Sequence, residues 1–111
     1  MLCPSRDSVC LAFLAAALND LDVLAADIQN AYLTAPTKEK VYAIAGPEFG
    51  SDAGRPARIV RALYGLKSSG KMFREFFAKT LREEMKFVPC KADPDVWMRK
   101  ATKANGFHYW E

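Results

Sequence analysis

A single carboxylate stands out as a candidate for chemistry because of where it falls in the sequence. The apolar run at residues 21–26 ends abruptly at Asp27. A charge at the end of a buried strand must be paired, solvated or bound to a metal, because burying it alone is costly. A plain turn or capping role at the strand end is the competing interpretation, and the residue type alone leaves both open.

Other familiar kinds of site are excluded by composition. The single histidine, His108, lies near the end of the chain, so we expect no Ser–His–Asp or Cys–His arrangement. No glycine-rich phosphate loop of the Walker type occurs. The three cysteines lack the clustered spacing of a zinc site or a disulfide framework, so we expect free thiols in a reducing compartment. They are Cys3, Cys10 and Cys90.

Length, composition and charge indicate the broad class of protein to which the chain belongs. With 111 residues, half of them apolar and 26% charged, the chain predicts one small globular domain. A net charge of +3 is compatible with nucleic-acid binding but is too mild to indicate it. The longest apolar stretch, residues 11–18, is too short to span a bilayer, and no signal-peptide pattern precedes it. We therefore predict no membrane association and an intracellular location.

The first half of the chain predicts one helix and three strands. A helix over residues 6–19, capped by Ser5 or Asp7, is apolar around most of its circumference and is expected to be buried. Glycine and proline make residues 46–56 a loop. Strands are predicted over residues 21–26, 40–45 and 57–63.

The second half predicts an amphipathic helix and a hairpin. Residues 68–87 place an apolar stripe on one face, which we expect to be core, with Ser68 or Ser69 as the cap. Asp93 and Asp95 flank a proline in a turn before a strand at residues 95–99. Asn105–Gly106 predicts a hairpin whose returning strand begins at residue 107. Because that strand has only the last five residues of the chain, 107–111, we expect an incomplete reading frame.

Three motifs occur in an order that resembles the reverse transcriptase domain of copia-type (Pseudoviridae) retrotransposons. They are D-I-Q-N-A-Y-L at residues 27–33, L-Y-G-L-K-S-S-G at 63–70 and D-P-D-V-W-M at 93–98. Between the first two lie E-K-V-Y at 39–42 and G-P-E-F-G at 46–50, also as in that family. The resemblance runs over nearly the whole chain. It departs where family members continue Y-G-L-K with Q-[AS]-P-R, because this chain has S-S-G-K at 68–71.

The resemblance implies an α+β fold, namely the partial fingers and palm of a right-hand polymerase, with helices packed on an antiparallel sheet. It implies that Asp27 and the carbonyl of Ile28 bind Mg²⁺ or Mn²⁺, the hard ions that two-metal polymerases use. The implied partners are an RNA or DNA template–primer, deoxynucleotides and the rest of the retrotransposon polyprotein. The nucleotide-binding residues would be Ile28, Tyr32, Tyr64, Gly65 and Lys67, with the Tyr32 ring closing the pocket under the sugar.

The implied polymerase site needs more than this chain supplies. The family's catalytic strand carries a Y-x-D-D motif, which is not present in residues 1–111 and is expected to follow them. With two of three catalytic aspartates missing, Asp27 should hold metal only weakly, and the chain alone should be inactive. Two alternatives stay open, a nucleic-acid-binding remnant and an inert pseudogene product. The first would use basic residues such as Arg58, Arg61, Lys67 and Lys71.

Overall fold

A computed structural model describes residues 3–111 and shows an α+β chain of helices and small antiparallel sheets. The helices are α1 (Arg6–Leu18), α2 (Ala31–Thr34) and α3 (Ser69–Glu83), with a 3₁₀ segment at Pro47–Asp52. The strands are β1 (Tyr42–Ile44), β2 (Pro56–Arg58), β3 (Val88–Pro89), β4 (Trp97–Met98), β5 (Lys100–Thr102) and β6 (His108–Trp110). They pair as β1–β2, β3–β4 and β5–β6, each antiparallel. The predicted single sheet is therefore three two-stranded ones.

The chain divides into two compact units. The central unit is Ile28–Phe76, and the terminal unit combines the segment up to Asp27 with Phe77–Glu111. One boundary lies directly after Asp27, and the other lies inside α3.

In the central unit, the β1–β2 ladder continues beyond the two short strands. Ile44 lies opposite Pro56, and an isolated bridge pairs Pro36 with Arg61 farther along. The backbone N–H of Ala62 donates to the carbonyl of Ala35, and both alanines are fully buried. Strands predicted at residues 40–45 and 57–63 are thus confirmed in shortened form, as the two sides of one hairpin.

Helix α3 confirms the amphipathic prediction. Phe73 and Leu81 of its apolar stripe are buried, whereas Phe76 is 38% exposed. Lys71 and Glu75, and Lys79 and Glu83, form ion pairs at i and i+4 along its solvated side. The helix ends four residues before the predicted position, at Glu83.

In the terminal unit, the hairpin predicted from Asn105–Gly106 is confirmed. Strands β5 and β6 place Lys100 opposite Trp110 and Thr102 opposite His108. Gly106 has φ +85°, a left-handed conformation that glycine adopts without a steric penalty. The strand predicted at residues 95–99 is present as β4, which pairs with β3.

Helix α1 has the predicted limits but not the predicted burial. Ser5 caps it by accepting a hydrogen bond from the Ser8 N–H at 3.1 Å. None of its residues is buried, and Leu11, Leu14 and Leu18 are 64%, 53% and 76% exposed. The prediction of a largely buried helix is wrong, because an apolar circumference is buried only where other elements cover every side.

The prediction of a strand at residues 21–26 is also wrong. This segment has no regular secondary structure and no strand pairing, and Leu24 is 93% exposed. Its β-like composition does not suffice, since a strand is stable only when a neighbouring strand completes its hydrogen bonds. Asp27 therefore ends an unpaired segment and not a buried strand.

Cys3, Cys10 and Cys90 are free thiols, as predicted. Among residues 3–111, no helix combines the length and the apolar character needed to cross a bilayer.

Candidate nucleotide-binding site

The sequence-predicted site residues divide between the two units. Asp27 is the last residue of the first segment of the terminal unit, with an exposed side chain in a stretch without regular secondary structure. Ile28, Tyr32, Tyr64, Gly65 and Lys67 all belong to the central unit. Ile28 is 42% exposed and has no regular secondary structure.

Two residues 32 positions apart in the sequence form the centre of the site. The rings of Tyr32 and Tyr64 have their centroids 4.6 Å apart and are tilted by 36°. On its other side, Tyr32 lies 6.0 Å from the ring of Phe73, which is buried. Contacts of this geometry contribute about 0.5–1.5 kcal/mol each beyond simple burial. The structure thus brings together the D-I-Q-N-A-Y-L and L-Y-G-L-K motifs.

Tyr32 is positioned by the four-residue helix α2. Asn30 precedes the helix at φ 52° and ψ 39°, a left-handed conformation that asparagine tolerates better than most residues. The helix then ends at Thr34, whose carbonyl accepts a 3.2 Å hydrogen bond from the Arg61 guanidinium. Arg61 also pairs with Pro36 in an isolated β-bridge. The Arg61 guanidinium is therefore held next to the short helix that carries Tyr32.

Tyr64 is positioned by a tight turn that only glycine can make without strain. Gly65 has φ +96°, and an added Cβ there would meet no atom within 4 Å. A side chain at this position would therefore be disfavoured by the backbone conformation and not by crowding. The turn leaves Tyr64 69% exposed, which makes one side of its ring available for stacking.

The turn is fastened to α3 by a buried serine. Ser69 is 1% exposed, and its hydroxyl donates to the carbonyl of Leu63 at 2.5 Å. The sequence predicted only that Ser68 or Ser69 would cap the helix. Which of the two serines turns inward to the Leu63 carbonyl depends on the residue at which α3 begins, and that residue is not evident from the sequence.

The central unit is more basic than the chain as a whole. Residues 28–76 contain eight lysines and arginines against four acidic residues, a net charge of +4, whereas the full chain carries +3. Lys67 lies in the turn that follows Gly65, with an exposed side chain. An exposed aromatic ring at Tyr64 and an exposed lysine three residues later suit a ligand that carries both a flat base and a phosphate.

The carboxylates do not assemble a metal centre on their own. Among residues 3–111, no group of three or more His, Cys, Asp or Glu side chains could hold an ion. Asp27 would offer one carboxylate, whereas a two-metal site needs several oxygen ligands around each ion. Asp27 would therefore supply only one of the oxygen ligands that the implied Mg²⁺ or Mn²⁺ ions need.

One pair of carboxylates has a role that sequence analysis missed. Asp93 and Asp95, predicted only to flank a turn, accept hydrogen bonds from the segment that begins α1. The Ser8 hydroxyl donates to Asp93 at 2.6 Å, and the Cys3 N–H donates to Asp95 at 3.1 Å. Nothing local signals this contact, since it joins residues 85 and 92 positions apart.

Comparison of the chain with protein-family models, with curated proteins and with solved structures found no match.

Proposed function

We propose that this chain is a segment of a copia-type reverse transcriptase, the RNA-directed DNA polymerase of a retrotransposon. In this proposal it forms part of the fingers and palm of a right-hand polymerase. Its partners are deoxynucleotides, an RNA or DNA template–primer and the rest of the polyprotein, in the cytoplasm or a virus-like particle. The reaction of the whole enzyme is nucleotidyl transfer onto a primer 3′-hydroxyl.

The observation that best supports the proposal is the contact of Tyr32 with Tyr64. It unites two of the three motifs on which the resemblance depends, although they are separated by a loop and a hairpin. Tyr32 is half-buried and held against Phe73, whereas Tyr64 is exposed. A fixed ring beside an exposed one suits the recognition of a sugar and a base.

The chain alone is proposed to be inactive as a polymerase. Asp27 contributes one carboxylate, and the Y-x-D-D motif is not among its residues. Primer extension by the purified 111-residue chain, with Mg²⁺ or Mn²⁺ on an RNA template, should therefore be undetectable. Extension that is lost on Asp27→Asn would show that the chemistry was assigned wrongly.

A chimera provides the positive test. Residues 21–111 would replace the matching segment of an active copia-type polymerase, which supplies its own Y-x-D-D strand. We expect the chimera to extend a primer, and Asp27→Asn to abolish extension. Asp22→Asn, which removes an exposed carboxylate five residues earlier, should leave it unchanged. A folded chimera that does not extend the primer, or one whose primer extension is unchanged by Asp27→Asn, would contradict the proposal.

A second candidate, a non-catalytic nucleic-acid-binding remnant, is favoured by the charge of the central unit. In this candidate the basic residues of the central unit, whose net charge is +4, bind the phosphates of an RNA–DNA duplex, and the binding weakens as the salt concentration rises. Arg58→Gln and Lys67→Gln should each reduce the salt dependence. An inert pseudogene product would not bind the duplex even at low salt. A separate observation, the genomic sequence after codon 111, would show whether a Y-x-D-D motif follows in frame.

A further inference from the structure

Helix α1 is held to the terminal unit mainly by polar contacts at its two ends. At the N-terminal end, Asp93 accepts hydrogen bonds from the Ser5 N–H at 2.9 Å and from the Ser8 hydroxyl at 2.6 Å. At the C-terminal end, the Lys103 ammonium donates to the carbonyls of Asn19 and Asp20, each at 2.7 Å. The lysine thereby supplies the positive charge that a helix C-terminus favours.

Between these two polar clamps, at Asp93 and at Lys103, the inner side of the helix lines an open apolar groove. The groove has a volume of about 190 Å³ and is lined chiefly by Val9, Ala12 and Phe13 of α1 and by Val23 and Val96. It is open to solvent, since Val9, Phe13 and Val23 are 40%, 56% and 58% exposed. Apolar side chains that face solvent across a groove have few packing partners, so the middle of the helix contributes little docking energy. Consistent with this, α1 has no buried residue over its 13 positions.

The two clamps come from one short stretch of chain. Asp93 precedes β4, and Lys103 follows β5. Both ends of α1 are therefore fastened to the same segment, while neither clamp is reinforced by a packed interface between them. An element with few buried apolar contacts and polar attachments opens at a lower free energy than the structure around it.

We propose that α1 is a detachable helix, which undocks as a unit when its Asp93 and Lys103 clamps open and which thereby uncovers the remaining apolar side chains of the groove. The motion is a hinge-like release at Asn19–Asp20 and at the Ser5 cap. Asp20 has φ 52°, so the chain already turns sharply where the helix must pivot. Helix α1 contains none of the residues proposed for the polymerase site, so this motion and that function stand or fall separately.

Native-state hydrogen exchange of the full chain tests the proposal. The amides of α1 should exchange through one shared opening that depends weakly on denaturant, because little surface is exposed when a helix undocks. The amides of α3 and of the β5–β6 hairpin should exchange through an opening with a steep denaturant dependence. If the α1 amides show the same opening free energy and the same denaturant dependence as α3, no separate undocking exists.

Two lysines of the hairpin provide a matched pair of variants. Lys103→Met removes the C-terminal clamp and should reduce protection in α1 at least about tenfold, since hydrogen bonds to a charged group are lost. Lys100→Met removes an ammonium that lies 5.5 Å from the Trp110 ring centroid and makes no contact with α1, so it should leave α1 protection unchanged. Equal effects of the two changes would overturn the role of the clamp.

Filling the groove tests the physical cause from the opposite direction. Ala12→Leu adds apolar contacts across the groove on the inner side of the helix and should increase α1 protection, with little change in α3. Ala15→Leu, a change of the same size on a position that does not line the groove, should not. Unchanged or reduced protection with Ala12→Leu, in a chain whose α3 remains protected, would show that sparse apolar packing in the groove is not what weakens docking.

Discussion

The hydroxyl of Ser69 donates to the carbonyl of Leu63 at 2.5 Å in a place that water does not reach, since Ser69 is 1% exposed. The adjacent Ser68 has a hydroxyl that is also inaccessible but has no hydrogen-bond partner among residues 3–111. The two neighbouring serines at the start of α3 thus differ, because among residues 3–111 the buried hydroxyl of Ser69 has a hydrogen-bond partner and that of Ser68 has none.

These two serines should respond oppositely to alanine. Ser69→Ala leaves the Leu63 carbonyl without its donor and should lower the free energy of unfolding by about 1–3 kcal/mol. Ser68→Ala removes an unsatisfied hydroxyl and should be neutral or stabilising. Urea denaturation of the two variants beside the wild type measures both. Equal losses would indicate that Ser69 acts only through packing.

Asp93 predicts an acid-dependent loss of stability. The Ser8 hydroxyl, with the backbone N–H groups of Ser5 and Asp95, holds the pKa of Asp93 at about 2, below its ordinary 3.8. Because the pKa is depressed on folding, Asp93 stabilises the fold fully above pH 3.8, and this contribution is lost as the pH falls through about 2. The difference in urea midpoint between wild type and Asp93→Asn should be constant near neutral pH and should shrink between about pH 4 and pH 2. An undiminished difference at the lowest pH would show that charge is not its cause.

Lys86 occupies a backbone conformation better suited to glycine. It follows α3 at φ 61°, where a Cβ carries a steric cost of about 1 kcal/mol. Lys86→Gly should therefore raise the free energy of unfolding by about 0.5–1 kcal/mol, despite the greater freedom of glycine in the unfolded chain. Ala78→Gly, inside the same helix, should instead cost about 1 kcal/mol. Thermal unfolding of both variants distinguishes a local backbone effect from a general cost of glycine, and a destabilising Lys86→Gly would refute the prediction.

Tyr32 predicts sugar discrimination in the chimeric polymerase. If its ring closes the pocket under the sugar, selectivity depends on ring volume, so Tyr32→Phe should retain the preference for deoxynucleotides. Tyr32→Ala should admit ribonucleotides and keep part of the polymerase rate. Parallel incorporation assays with the two kinds of nucleotide measure this.

The stability of the Tyr32 variants must be measured beside their activity. The ring also contacts Tyr64 and Phe73, so Tyr32→Ala should cost about 1–3 kcal/mol, as for a half-buried aromatic. A variant that unfolds, or a folded one with unchanged sugar preference, would mean that Tyr32 serves the packing of this cluster only.

Local features of the fold were predictable because their chemistry lies within a few residues. The start of α1 at its Ser5 cap, the amphipathic α3 and the hairpin at Asn105–Gly106 each depend on short-range hydrogen bonds or turn conformations. The same holds for the sharp turn at Gly65. Within the candidate site, the resemblance to copia-type reverse transcriptases singled out the two motifs that the structure brings together at Tyr32 and Tyr64.

Features that depend on distant partners were not predictable. Residues 21–26 have the composition of a buried strand, but a strand requires a neighbouring strand to pair with. The composition of residues 21–26 does not indicate whether another segment lies close enough to pair with them. Helix α1 is apolar enough to be buried, yet only the positions of the other elements decide which of its sides are covered. The clamps at Asp93 and Lys103 join residues more than 80 positions apart. Only the tertiary structure could show that this carboxylate and this lysine hold the two ends of α1, because nothing in the neighbouring sequence indicates such distant partners.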